Sequence, residues 1–357
     1  MNQVISGNKG KKVRSDCMIT VSKMANSQVN INLTGKVKTM YGRLILQQIH
    51  EQISFYGIQG IQIDVEDSGA LPFTISARIE AAITKIFDIK EFYIPDIIPE
   101  NQYQTTKDRF RFSRLYIPGN TPSMMINAGL HKPNGIILDL EDAVAPEKKD
   151  EARFLVRNAL CQVNFYGAER MVRINQGERG LKDLEWVVPY FVNMILIPKV
   201  ETPQQIQAID NKINELREKH HFNYPIWYMP ILESALGIEN AFSIATASNN
   251  IAAMAIGLED YTADIGVQRT KEGTESLYAR MRLVNAAKAA SIQPIDSVFS
   301  DISDMEGLLE NVKHSKTLGF EGMGCIHPRQ IAIIHQGFAP GKKEYMKNLN
   351  YMIGRIL

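Results

Sequence analysis

The chain has 357 residues, too many for one ordinary domain, and 45% of them are hydrophobic, enough to fill a large core; two domains are expected and disorder is not the default. A formal net charge of +1 gives none of the polyelectrolyte character that would point to nucleic acid or a charged membrane surface. Three cysteines, Cys17, Cys161 and Cys325, form no CxxC pair and suit a reducing compartment.

In chain order, residues 1–15 read as a flexible arm with a basic cluster, Lys9, Lys11, Lys12 and Arg14. The cluster reads first as a solvated tail and second as a contact for cofactor phosphates. The arm has no apolar core of a secretory signal, and no stretch approaches the roughly 20 apolar residues of a membrane helix, so a cytoplasmic protein is expected. Met18–Val21 and Val29–Leu33 are short strands, and Ile61, Ile63 and Val65 alternate as another. Leu44, Ile45, Ile49 and Ile53 repeat at helical spacing before Gly57, and Ile75, Ile79, Ala82, Ile83 and Ile86 mark a second helix. Residues 1–90 therefore predict a small α+β sandwich. Residues 91–107, with Pro95 and Pro99 and no sustained periodicity, read as a linker.

From 108 to 340 short apolar runs alternate with helical stretches. The runs are Leu115–Ile117, Gly135–Leu140, Met171–Ile174, Met194–Ile197, Ile226–Leu232, Ala252–Ile256, Asp296–Phe299 and Gly322–Ile326. This pattern predicts an α/β fold of TIM (β/α)8 type, with residues 341–357 a short tail. The competing open, doubly wound sheet lacks its glycine-rich GxGxxG turn for a dinucleotide.

Polar residues gather where these runs end, at the rim where barrel active sites form. Glu233 and Asp260, after consecutive runs, are the best metal ligands, and two carboxylates that leave room for water suit Mg2+. A salt-bridged rim carboxylate is the plainer reading of either acid alone. Arg173 can bind a substrate carboxylate or oppose an enolate's charge; its structural reading is a bridge to Glu141 or Asp142. The run Asp139-Leu140-Glu141-Asp142 crowds carboxylates enough to spread their pKa values, and which acid is the general base stays open. Lys199 reads first as charge balance and second as a Schiff-base lysine. The seven histidines have no HExxH spacing, and no GxSxG elbow is present.

At these segments the chain resembles the citrate lyase beta subunit and the malyl- and citramalyl-CoA lyases. The resemblance covers 109–340 and rests on RFSRLYIPGN (111–120), GIILDLEDAVAPEKKDEAR (135–153), MVRIN (171–175), PILESALGIENA (230–241), IGLEDYTADIGVQRTKEGTESLYAR (256–280) and GCIHPRQI (324–331). It implies a Mg2+-dependent lyase acting on a hydroxy-acyl thioester, with Glu233 and Asp260 as metal ligands. Arg173 is implied at the oxo acid or enolate, and Glu141 and Asp142 as the acidic motif that organises it. Pro118, Arg269, His327 and Pro328 are implied to lie toward the thioester cofactor. Residues 10–88 are similar to the citrate lyase acyl carrier, or gamma subunit, through SDCMITV (15–21), VNINL (29–33), VEDSGAL (65–71) and ISARIEAAI (75–83). Where that carrier has its prosthetic-group serine this chain has Arg14, and Ser15 follows it. The carrier is thus read as structural, with Ser15 the candidate attachment point for a phosphopantetheine-type group. The resemblance also implies a trimer or hexamer, association with other citrate-lyase-like subunits, and a C-terminal segment closing over a neighbour's site. Neither Asp301 nor the tail LNYMIGRIL is assigned to that last role. Two rival functions are carried: a non-catalytic scaffold or regulatory subunit with a vestigial carrier, and a class II aldolase on free hydroxy-oxo acids.

Overall fold

Alternation decides the front sheet. Ile61, Ile63 and Val65 turn one way from their strand while Gln62 and Asp64 turn the other, so one face is apolar. In the computed structural model, which describes residues 3–340, four strands form this sheet: β1 (Gln3–Gly7), β2 (Cys17–Lys23), β3 (Val29–Gly35) and β4 (Ile61–Asp67). Their spatial order is β1-β2-β4-β3, with β3 parallel to β4 and the other pairs antiparallel. Helices α1 (Lys38–Tyr56) and α2 (Pro72–Ile83) cover it. Gly57 ends α1 in a left-handed conformation, φ +63°, which a side chain would strain. The start of the chain corrects the sequence reading: residues 3–7 are an edge strand, not a flexible arm. Val4 and Ser6 face inward and Ile5 outward, an alternation too brief to stand out beside the basic cluster.

Eight parallel strands follow: β5 (Ser113–Pro118), β6 (Gly135–Asp139), β7 (Glu169–Arg173), β8 (Met194–Ile197), β9 (Trp227–Leu232), β10 (Ala253–Ile256), β11 (Gln293–Ile295) and β12 (Met323–Cys325). They pair in sequence, β12 pairs with β5, and a parallel bridge between Asp296 and Met323 joins β12 to the end of β11 and closes the barrel. One strand departs from expectation. β11 occupies 293–295 instead of 296–299, because Pro294, a residue that ordinarily argues against a strand, lies within it opposite Met254. Inside the barrel Ile137, Met171, Met194, Leu196, Met229, Ile231 and Ile295 pack together. The outward side chains meet the surrounding helices: α3 (Pro122–Met125), α4 (Lys149–Gln162), α5 (Gly177–Val187), α6 (Pro203–His220), α7 (Ala235–Glu239), α8 (Ala241–Ala245), α9 (Leu258–Asp264), α10 (Leu277–Ala289), α11 (Met305–Leu318) and α12 (Arg329–Phe338).

Residues 91–107 contain one short 3-10 turn, Pro99–Asn101, and lie against the barrel. The Asn101 side chain donates to the carbonyls of Leu160 and Val163, and Trp227 Nε1 donates to Thr105 O at 2.7 Å. Below the strands the buried Arg111–Glu169 pair, at 2.7 Å, fixes the same end. The tail 341–357 lies outside the described residues. Among the described residues no helix is long and apolar enough to cross a membrane.

Candidate active site

The two-residue period of a strand builds the site. Ile137, Met171 and Ile231 point into the barrel, so the residues two further on, Asp139, Arg173 and Glu233, point the same way at the strands' C-terminal ends. There they line a cavity of about 420 Å³ together with Tyr116, Asp142 and Asp260. Asp139 grips Arg173 with both oxygens, at 2.7 Å from Nε and 2.6 Å from Nη2. Arg173 Nη1 faces Glu141 at 2.9 Å and Asp142 at 3.4 Å. This is a planar fork held by three acids, with Asp139 as its main partner.

Glu233 directly follows β9 and is buried, and its Oε2 has no hydrogen-bond partner. Burial, then the charges of Glu141 and Asp260, push its carboxyl up to about 8. Gly257 makes this placement feasible: a Cβ there would sit 2.6 Å from Glu233 Cγ. Asp260 reaches the cavity from the first turn of α9, four residues past β10, and pairs with Lys199 at 3.2 Å. Lys199 itself has a positive φ of 49°. Burial pulls its ammonium down, but the hydrogen bond and charge of Asp260, with the charges of Asp142 and Glu141, together outweigh burial and raise it, the opposite of what a Schiff-base nucleophile needs.

An orphaned, buried carboxylate oxygen beside a second carboxylate is a donor set that fits a hard divalent cation. Among the described residues no group of three or more His, Cys, Asp or Glu is placed to hold a metal ion by itself. Glu233 and Asp260 would therefore share such an ion with water and substrate oxygens, as Mg2+ favours.

The remaining candidates lie outside the cavity lining. Pro118 pairs with Asp139 in register at the end of β5. Arg269 stands behind the rim, bound to Glu259 at 2.6 Å and donating to Val298 O at 2.9 Å. His327 and Pro328 begin the turn into α12, where His327 Nδ1 accepts the Arg329 N–H. Ser15 is in the front domain, with φ +55° and its N–H on Ser68 O.

One charged group in the cavity escaped the sequence reading and another was seen only in part. Arg114, two residues before Tyr116 on the inward side of β5, is wholly buried, and burial lowers its guanidinium to about 10. It donates to Met229 Sδ at 2.9 Å. Its place mid-strand, where a charge is costly, is the signal that could have found it. Asp139 was visible only as one of three neighbouring acids.

A protein-family model described as HpcH/HpaI aldolase/citrate lyase matches residues 113–328. The chain belongs to that family. It is 39% identical to the citrate lyase subunit beta of Haemophilus influenzae over 239 residues, 66% of this chain and 82% of that subunit. It is 34% identical to the mitochondrial citramalyl-CoA lyase of Rattus norvegicus, covering 63% of this chain and 70% of that enzyme. Among solved members of the family, the citrate lyase beta subunit of M. tuberculosis complexed with oxaloacetate and magnesium superposes with a TM-score of 0.56. It is 27% identical and covers 66% of this chain and 99% of that one. Residues 6–86 match an acyl-carrier model described as malonate decarboxylase delta subunit, so the family barrel here follows a carrier-like domain.

Proposed function

We propose that this protein is a Mg2+-dependent carbon–carbon lyase that cleaves a citryl-, citramalyl- or malyl-type thioester to an oxo acid and an acyl thioester. The observation that carries the reading is the unpartnered, buried oxygen of Glu233 beside Asp260, in one cavity with the Asp139-held guanidinium of Arg173. The relatives' names and the magnesium and oxaloacetate in a solved neighbour support it.

Glu233 and Asp260 would hold the metal, which when bound supplies Lewis acidity toward the oxygens of the substrate's hydroxy-acid end. Arg173, fixed by Asp139, offers a permanent cation to a substrate carboxylate or to the oxygen on which negative charge grows. Glu141, buried and raised above the usual carboxylate range first by burial, receives a hydrogen bond from Gln176 at 2.8 Å and steadies the far side of Arg173. In the cleavage the hydroxyl proton passes to a base, the C–C bond breaks with its electrons moving to the thioester enolate, and that carbon is protonated. Arg114, charged at neutral pH and beneath the cavity, adds positive potential from below. The reading includes a homo-oligomer, supported by Leu236, Phe242, Tyr278 and Met281, which stay exposed on α7, α8 and α10.

The test is turnover by full-length protein with Mg2+ and malyl-, citramalyl- or citryl-CoA. Metal-dependent release of an oxo acid, abolished by E233Q, is expected. Turnover of free hydroxy-oxo acids without a thioester would replace this reading with the aldolase. Silence with every substrate, under conditions where a related lyase works, would leave a scaffold.

A further inference from the structure

Helix α2 is buried on two sides. Ile75, Ile79 and Ile83 pack into the front domain's own core, whereas Phe73, Ala77 and Ala81, spaced by four, belong to the core of the barrel. The small residues of that second stripe bring α2 close to α4, and polar side chains lock the contact. Arg157 of α4 pairs with Glu80 of α2 at 2.5 Å, both fully buried. Asn158 donates to Phe73 O at 3.1 Å, and Lys148 Nζ donates to Gly7 O at 3.2 Å.

Arg78 joins three separate parts of the chain. Its Nε and Nη2 each reach Asp16 at 3.0 Å, in the loop that bears Ser15. Nη1 reaches Glu151, in the first turn of α4, at 3.2 Å. Nη2 also donates to the carbonyl of Asn120 at 3.0 Å, in the loop that leaves β5 on the cavity side. From Asn120 the path to the site is short. The neighbouring Gly119 N–H donates to Asp139 O at 2.7 Å, and a Cβ on Gly119 would lie 2.5 Å from that oxygen. Asp139 is the residue that grips Arg173.

We propose that Arg78 of the front domain is a positioning residue for the barrel's site, and that this domain is a fixed wall of the enzyme, not a carrier that travels between sites. A travelling carrier presents its arm to more than one partner. Here departure would uncover Phe73, Ala77 and Ala81 and break every Arg78 contact to the barrel. The thioester therefore arrives as a diffusible molecule of the coenzyme A type; this last clause rests on the lyase reading, and the docking does not.

Hydrogen exchange on the full-length protein without ligand tests the docking. Amides of α2 and α4 are expected to exchange together, among the slowest; a front domain exchanging as a separate, faster unit would overturn the proposal. R78A is expected to speed exchange in residues 8–17 and 119–126 together. It should also lower kcat/KM at least tenfold and weaken direct binding of an oxo acid in parallel, with R78K restoring part of each. A folded R78A with unchanged exchange at 119–126 and unchanged oxo-acid binding defeats the positioning role. Should R78A not fold, D16N carries the same readouts. Wild-type protein inactive on every thioester would refute the lyase reading while leaving the exchange result to judge the docking.

Discussion

A carboxyl group that keeps its proton to about pH 8 cannot accept a cation at lower pH without giving that proton up. Glu233 is such a group, and the sign of its effect follows. Its folded value lies above the ordinary 4.5, so without metal the native state binds the extra proton between those two values, and stability falls as pH rises through that window. Mg2+ needs the carboxylate, so its affinity is expected to rise toward about pH 8 and then level, with proton uptake by buffer near neutrality. Calorimetry in buffers of different ionisation enthalpy measures both, and E233Q should abolish the proton release along with the binding. At Arg173 the two-pronged hold of Asp139 is what a lysine cannot copy. R173K is expected to lower kcat/KM by about 100-fold with little change in melting temperature, a size typical of lost charge-stabilising donors. The sequence marked Arg173, Glu233 and Asp260 because rare charges follow apolar runs. It could not rank Asp139 above Glu141 and Asp142, since only the strand's inward side and the bidentate geometry separate them.

Among elements, the turn from β10 into α9 does two things at once: it brings Asp260 over the cavity and clears space for Glu233. G257A should leave the barrel folded yet displace the Glu233 side chain, since the added methyl would meet its Cγ at 2.6 Å. Loss of Mg2+ affinity with intact circular dichroism is the expected result, and unchanged affinity would refute this role for the glycine. In the front domain, G57A carries a smaller expected cost, about 1 kcal/mol, because a left-handed helix cap suits glycine and nothing else is near it. Denaturant melts of the two variants should separate these effects. Most barrel strands were legible to within two residues because each is a buried apolar run between loop signals. β11 was not: Pro294 hides it, and the more apolar Val298 and Phe299 lie in the mouth loop beyond it. β1 was hidden by brevity.

For the molecule as a whole, the docking of the two domains left no sequence signal. Ala77 and Ala81 are ordinary helix residues, and the α4 residues that pair with Glu80 and Arg78 lie more than seventy positions from them. Such pairs are specific more than strong. R157A nonetheless strands a buried Glu80 carboxylate, and a loss of about 3–5 kcal/mol is expected, read as a clear drop in melting temperature. The far end of the barrel has a consequence of another kind. Met171, Met194 and Met229 plug its interior, and the strap of residues 91–107 lies beneath, so the cleft is a blind alley with one doorway. Two products must leave by it in turn. The fragment seated innermost, between Glu233 and Arg173, goes last, so the oxo acid should inhibit competitively against substrate and the acyl thioester noncompetitively.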